Sequence, residues 1–137
     1  MKLKESLDSA LNFTKTDDTN DRIQYSFNLK EEFNLNLEIN VIISFVGPRK
    51  SGVIINFNSV GSNDLSTEKK ASFAIFATLV DILNEVNRHY DVKYIQAHGD
   101  TLKKGHIYEK LFERFADENW EVDRKGTDVN AQKKDKL

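Results

Sequence analysis

Apolar and polar residues alternate along three consecutive segments in the first half of the chain. Side chains that alternate in this way point to opposite faces of a β-strand, so each segment predicts a strand with one buried face. Short turns at Lys30–Glu32 and Gly47–Gly52 join the segments, which predicts an antiparallel meander. The apolar positions of the three strands are Ile23, Tyr25, Phe27 and Leu29; Leu35, Leu37, Ile39, Val41, Ile43 and Phe45; and Val53, Ile55 and Phe57.

The second half of the chain changes to helical periodicity. Two adjacent apolar stripes between about Thr67 and Asn87 predict a central core helix. A strand over Val92–His98 follows, then an amphipathic helix from Thr101 to about Asp117, and Trp120–Val122 predicts a short final strand. The stripes of the core helix are Phe73, Phe76, Val80 and Leu83, and Ile75, Leu79, Ile82 and Val86. The inner face of the last helix contains Lys104, Ile107, Tyr108, Leu111, Phe112 and Phe115.

The two ends of the chain show weaker hydrophobic patterns than its centre. Leu3, Leu7 and Leu11 recur at helical spacing and predict a short amphipathic helix that docks on its own domain or on a partner. We therefore predict an α/β (α+β) fold, with a mostly antiparallel sheet of about five strands, a long core helix and a second C-terminal helix in the order βββαβαβ. The predicted parts are residues 1–21, an N-terminal helix and polar loop; 22–124, a single domain; and 125–137, a disordered charged tail.

Charge, cysteine content and apolar runs argue against several classes of function. Twenty basic and 22 acidic residues give a net charge of -2, which lacks the basic character of most nucleic-acid-binding domains. The chain contains no cysteine, so thiolate catalysis and cysteine-ligated zinc are excluded. Residues 1–7 are charged and do not resemble a signal peptide, and no apolar run approaches the roughly 20 residues that span a bilayer. We expect a cytoplasmic location with no membrane contact.

The order of elements and two short motifs carry a family resemblance. Ile107–Phe112 resembles the segment leucine-tyrosine-x-lysine-leucine-glycine-phenylalanine of the GNAT acyltransferases, although Phe112-Glu113 replaces the glycine. The chain is also similar to uncharacterised bacteriophage-encoded proteins with a truncated GNAT-like fold. In those proteins a buried helix resembles Phe76–Val80, and a later helix carries residues spaced like Tyr108, Leu111 and Arg114. The resemblance covers roughly residues 22–124 and implies a GNAT-like domain.

The segment that the resemblance assigns to the cofactor departs from the family pattern. In active GNAT enzymes, glycines before the core helix let backbone N–H groups hold the pyrophosphate of coenzyme A. Here residues 61–70 contain one glycine, and Asp64 and Glu68 place carboxylates near the expected phosphates. Like charges oppose binding, although Lys69 and Lys70 offset part of this repulsion. The candidate cofactor-binding residues are Ser62, Asn63, Ser66, Thr67 and Lys69.

Few residues are candidates for chemistry. The resemblance implies that Tyr108 is a general acid, whereas burial on the last helix predicts a core tyrosine with a hydrogen-bonded hydroxyl; we favour the second interpretation. His98, Asp100 and His106 are close in sequence, but their spacing matches no standard ligand pattern, so we predict no metal.

Two main functional hypotheses follow. The first is a non-catalytic GNAT-like phage protein without a cofactor, acting through protein–protein contacts in the virion or on a host factor. Its docking element would be the helix with Leu3, Leu7 and Leu11. The second is an acetyl-coenzyme A-dependent N-acyltransferase with a degenerate pyrophosphate loop. A small binding module with an unknown ligand is a third, and the oligomeric state is left open.

Overall fold

One seven-stranded sheet, three α-helices and one short 3-10 helix (Pro48–Lys50) form the regular structure of the part of the chain that the structure describes. This structure is a computed structural model, and it describes residues 10–61, 69–116 and 118–134. The strands are β1 (Thr14–Asp18), β2 (Arg22–Asn28), β3 (Leu37–Val46), β4 (Gly52–Gly61), β5 (Tyr94–His98), β6 (Trp120–Lys125) and β7 (Asp128–Lys133). The helices are α1 (Lys30–Phe33), α2 (Lys69–Tyr90) and α3 (Leu102–Phe115). The strand order is β1-β2-β3-β4-β5-β7-β6, and β4 and β5 are the parallel pair.

The α/β class is confirmed, but the predicted count of about five strands is wrong. β1 lies in the segment that we predicted to be a polar loop; as an exposed edge strand paired only with β2, it has no buried apolar pattern. β7 lies in the predicted disordered tail, where its two fully buried residues, Val129 and Ala131, are too few to reveal a period. The predicted antiparallel meander is confirmed by the pairing of β2, β3 and β4. The predicted helix with Leu3 and Leu7 lies outside the described residues.

One face of the sheet forms the core. Residues that oppose one another in neighbouring strands share a face, and the strand registers keep the buried residues in line across the sheet. This line includes Ile23, Ile43, Ile55, Val53, Ile95 and Ala131, and the half-buried Val122 continues it on β6. Both long helices pack on this face: α2 through Leu79, Ile82 and Val86, and α3 through Leu111 and Phe112.

Local sequence sets the ends of the helices. The Thr101 hydroxyl caps α3 by accepting a hydrogen bond of 3.1 Å from the Lys104 backbone N–H. α2 ends in a turn with Arg88 and His89, which suit the negative end of the helix dipole. Asp91 then reverses the chain with a φ of 47°. None of the described helices has both the length and the hydrophobicity that crossing a bilayer requires.

The second face of the sheet carries no described helix, and we call it the open face. Its residues alternate with those of the core and are half-buried or exposed. Ile54 is 38% exposed at its centre. Across the central strands, the open-face residues are Gln24, Ser26, Asn40, Ile42, Ser44, Ile54, Asn56, Asn58, Gln96 and Asn130. The side chains at its margin include Arg22, Glu38, Tyr94, His98, Asp123, Lys125 and Asp128.

Gly52 allows Tyr94 to lie flat on the open face. The two residues are neighbours in the parallel β4–β5 pairing, and a Cβ atom at Gly52 would overlap the Tyr94 ring. We expect Gly52→Ala to lower the free energy of unfolding by about 1–3 kcal/mol, because the ring must shift. Urea denaturation measures this change.

A double-mutant cycle provides the control. If the overlap causes the loss, Gly52→Ala should be much better tolerated in a Tyr94→Ala background. An equal loss in both backgrounds would contradict the steric explanation.

Candidate functional site

The parallel strands β4 and β5 separate after three paired positions. Gly52, Val53 and Ile54 pair with Tyr94, Ile95 and Gln96, whereas β4 continues to Gly61. Beyond Ile54, the side of β4 that faces β5 lacks a strand neighbour among the described residues. We call this gap the β4–β5 split. Buried backbone N–H and C=O groups need hydrogen-bond partners, so the groups of β4 at the split must find them elsewhere.

Tyr108 supplies one of these partners from α3. Its side chain is fully buried on the inner face of the helix, as the apolar period predicts. The Tyr108 hydroxyl accepts a hydrogen bond of 3.3 Å from the Phe57 backbone N–H and donates one of 3.2 Å to Asn56 Oδ1. The Phe57 and Tyr108 rings pack edge to face, with centroids 5.3 Å apart. The Tyr108 hydroxyl is therefore used as a structural link between α3 and β4.

Lys104 supplies the other partner. Its ammonium group donates a hydrogen bond of 3.3 Å to the Phe57 carbonyl oxygen. The same Nζ atom lies 5.5 Å from the centroid of the Phe57 ring and 6.0 Å from that of Tyr108. Both backbone groups of Phe57 are thus bonded to side chains that lie one helical turn apart on α3.

Burial keeps the Tyr108 hydroxyl protonated. Desolvation raises the pKa of Tyr108 above its ordinary value, the Phe57 N–H opposes this shift, and the nearby Asp100 carboxylate adds to it. A phenol with a raised pKa gives up its proton less readily at neutral pH. The surroundings of Tyr108 thus favour hydrogen bonding over proton transfer.

The candidate cofactor residues are not brought into this site by the described structure. Ser62, Asn63, Ser66 and Thr67 lie outside the described residues, and Lys69 is described only as the first residue of α2. Sequence analysis placed Tyr108 and Lys104 on the inner face of α3, but it missed Asn56. As an ordinary polar residue on the outer side of a strand, Asn56 gave no signal.

His98, Asp100 and His106 do not form a cluster. His98 Nδ1 contacts Asp128 Oδ1, its opposite neighbour in the β5–β7 pairing. His106 Nδ1 instead lies 3.6 Å from Glu109 Oε1 on α3. Within residues 10–61, 69–116 and 118–134, no group of three or more histidine or carboxylate side chains could hold a metal ion.

Comparisons with known proteins add no assignment to this site. No model of a known protein family matches the chain, and no curated protein matches it at a significant level.

Removing the Tyr108 hydroxyl should weaken the link across the split. We expect Tyr108→Phe to lower the free energy of unfolding by about 1–3 kcal/mol, because the Phe57 N–H and Asn56 Oδ1 lose a buried partner. Amide hydrogen exchange should accelerate at Phe57 and stay unchanged at Val41 on the neighbouring strand. An unchanged exchange rate at Phe57 would contradict the bond.

Tyr108→Phe should also change how the free energy of unfolding depends on pH above about pH 10. The unfolded chain releases the Tyr108 proton near pH 10 and the folded chain at a higher pH, so stability is complete below about pH 10 and falls above it. Tyr25, whose pKa is raised by burial and by Glu85, contributes in the same direction. Tyr108→Phe should therefore reduce the slope of unfolding free energy above pH 10 by up to about 1.4 kcal/mol per pH unit.

Proposed function

We propose that this chain is a non-catalytic GNAT-like bacteriophage protein that acts through protein–protein contacts, in the host cytoplasm or in the virus particle. The resemblance over residues 22–124 supports the GNAT-like part of this proposal. The hydrogen bonds that Tyr108 and Lys104 of α3 make at the β4–β5 split support the non-catalytic part.

The bonds at Phe57 carry the argument against catalysis. A ligand that enters the split and pairs with β4 as an added strand needs the free N–H and C=O groups of that edge. At Phe57 these groups are bonded to Tyr108 and Lys104, so such a ligand must displace both side chains. The Tyr108 hydroxyl, with its raised pKa and two hydrogen bonds, is also a poor proton donor to a leaving thiolate.

Charge near the start of α2 supports the same conclusion. Asp64 and Glu68 precede a helix whose first turn would otherwise attract an anion. Their carboxylates repel the pyrophosphate of coenzyme A, and Lys69 and Lys70 offset this repulsion only in part. The segment also has no glycine between Gly61 and Lys70 to bring backbone N–H groups close to the pyrophosphate.

The N-terminal segment is the proposed contact with a protein partner. The Leu11 backbone N–H donates a hydrogen bond of 2.8 Å to the Thr78 hydroxyl of α2, and the Leu11 side chain packs against the core. Phe13 also packs edge to face on Tyr25, with centroids 5.5 Å apart. Leu11 therefore anchors the segment to its own domain, and in this proposal Leu3 and Leu7 contact the partner.

Acetyl-coenzyme A should not stabilise the protein. A ligand at 100 times its dissociation constant stabilises a fold by about 2.7 kcal/mol, which raises the melting temperature of a domain of this size by several degrees. We expect no shift at millimolar acetyl-coenzyme A, measured by differential scanning fluorimetry.

A clear shift would overturn the non-catalytic proposal and favour the N-acyltransferase. The position of the Tyr108 hydroxyl at the split is the observation that favours this second function. In that case Tyr108→Phe should lower turnover by about 10²-fold or more.

Introducing negative charge at Leu3 and Leu7 should abolish partner binding. We expect the double variant Leu3→Asp/Leu7→Asp to lose proteins that the wild-type chain captures from phage-infected cells, because an apolar contact cannot accommodate two carboxylates. The control variant Lys2→Asp/Lys4→Asp has the same new side chains at the neighbouring polar positions. Equal capture by all three proteins, measured by quantitative mass spectrometry, would refute the docking role of Leu3 and Leu7.

A further inference from the structure

The centre of the open face carries no charged side chain. Charged residues make up 31% of the chain, and exposed strand faces are where such residues usually lie. Yet the open-face positions from Gln24 on β2 to Asn130 on β7 are all uncharged. Charged residues such as Arg22, Glu38 and Asp123 lie around this centre.

This distribution is typical of a protein–protein interface. Charged residues are depleted in the core of interfaces, whereas their rims are polar and solvated. Ile42 and Ile54 lie on adjacent strands at the centre of the open face, where Ile42 opposes Asn56 and Ile54 opposes Ser44. Against a partner, these two apolar side chains can be buried, and the surrounding amide side chains can keep water away from them.

The chemistry of the open face is complementary to itself. Each asparagine or glutamine side chain both donates and accepts hydrogen bonds, and serine does the same. A face made of such groups can pair with a second copy, and without charge at its centre the two copies do not repel one another. The margin carries both signs, with Arg22 and Lys125 among the acidic residues Asp17, Glu38, Glu121, Asp123 and Asp128, and Arg22 is already paired with Asp17 within the chain.

We propose that two copies of this chain form a two-fold homodimer by packing their open faces together. The resulting arrangement is a pair of stacked sheets with the helices outside. This inference does not depend on the proposed function: Asn56 and Asn58 of the open face lie at the β4–β5 split, but the dimer relies on neither the bonds at Phe57 nor the N-terminal segment.

The size of the face suits a stable dimer. Seven strands spaced by about 4.8 Å span roughly 34 Å. Strands of 5 to 10 residues are roughly 17 to 33 Å long at about 3.3 Å per residue. The sheet therefore offers roughly 600 to 1,100 Å², and a standard interface uses about 800 Å² per partner.

The sheet edges favour stacking over edge-to-edge pairing. The outer strand β1 carries Lys15, Asp17 and Asp18 and is interrupted by a bulge near Thr16. At the other edge, β6 has charged residues at four of its six positions. Charges and bulges of this kind hinder the addition of another strand.

Sedimentation equilibrium tests the dimer. The full chain should show twice its molar mass of 15.8 kDa at on the order of 100 μM. Ile54→Lys should raise the dimer dissociation constant by about 100-fold or more, because it buries an ammonium group at the centre of the interface. Since Ile54 is exposed in a single copy, the variant should keep the circular dichroism spectrum of the wild type.

Leu102→Lys is the matched control. Leu102 lies at the start of α3, away from the open face, and is 67% exposed. This variant should dimerise like the wild type. A wild-type chain that stays monomeric at on the order of 100 μM would overturn the proposal, as would a dimer dissociated by Leu102→Lys and unaffected by Ile54→Lys.

Single labels locate the interface directly, since the chain has no cysteine of its own. Nitroxide on Asn58→Cys, at the side of the open face, should show dipolar coupling between copies, because stacked sheets lie about 10 Å apart and only the lateral offset of Asn58 from the two-fold axis adds to that distance. Nitroxide on Leu102→Cys should show a longer separation. The reverse order of separations would place the interface on the helical side and refute the stacked arrangement.

Discussion

The structure depends on keeping one face of the sheet apolar from β2 across to β6. Side chains alternate between faces, so a shift of one residue in a single pairing would turn that strand's apolar residues away from the core. The register across β3 and β4, with Ile43 opposite Ile55, passes through the parallel pairing of Val53 with Ile95 to Ala131 on β7. Both long helices use this surface, so their positions follow from the register.

The β4–β5 split shows how this constraint reaches the candidate site. Because the strands diverge after Ile54, β4 presents backbone groups that no strand of the described residues bonds. α3 meets this need with a phenol and an ammonium group, whose apolar portions pack on Phe57 while their polar ends reach its backbone. The place where a parallel sheet opens is a common ligand site, and here two side chains of α3 bond to the backbone of Phe57 at that place.

Strong periodicity made much of the fold predictable. The long apolar stripes of α2 and the alternation in β3 identify these elements, because each buries enough side chains to repeat its period several times. β1 has no such pattern, since an exposed edge strand is held by backbone hydrogen bonds that any sequence can make. The position of Tyr108 followed from the helical period. Its partners, Asn56 and the Phe57 N–H, could not be predicted, because they depend on how far two distant strands stay paired.

The position of β7 also has a consequence for synthesis on the ribosome. β7 follows β5 and β6 in the chain, yet it lies between them in the sheet. While a nascent chain emerges, β5 and β6 therefore lack the neighbour that joins them, and Ala97 and Trp120 cannot be fully enclosed. These three of the seven strands can close together only after translation has passed residue 133, late enough for chaperones to meet their exposed edges first.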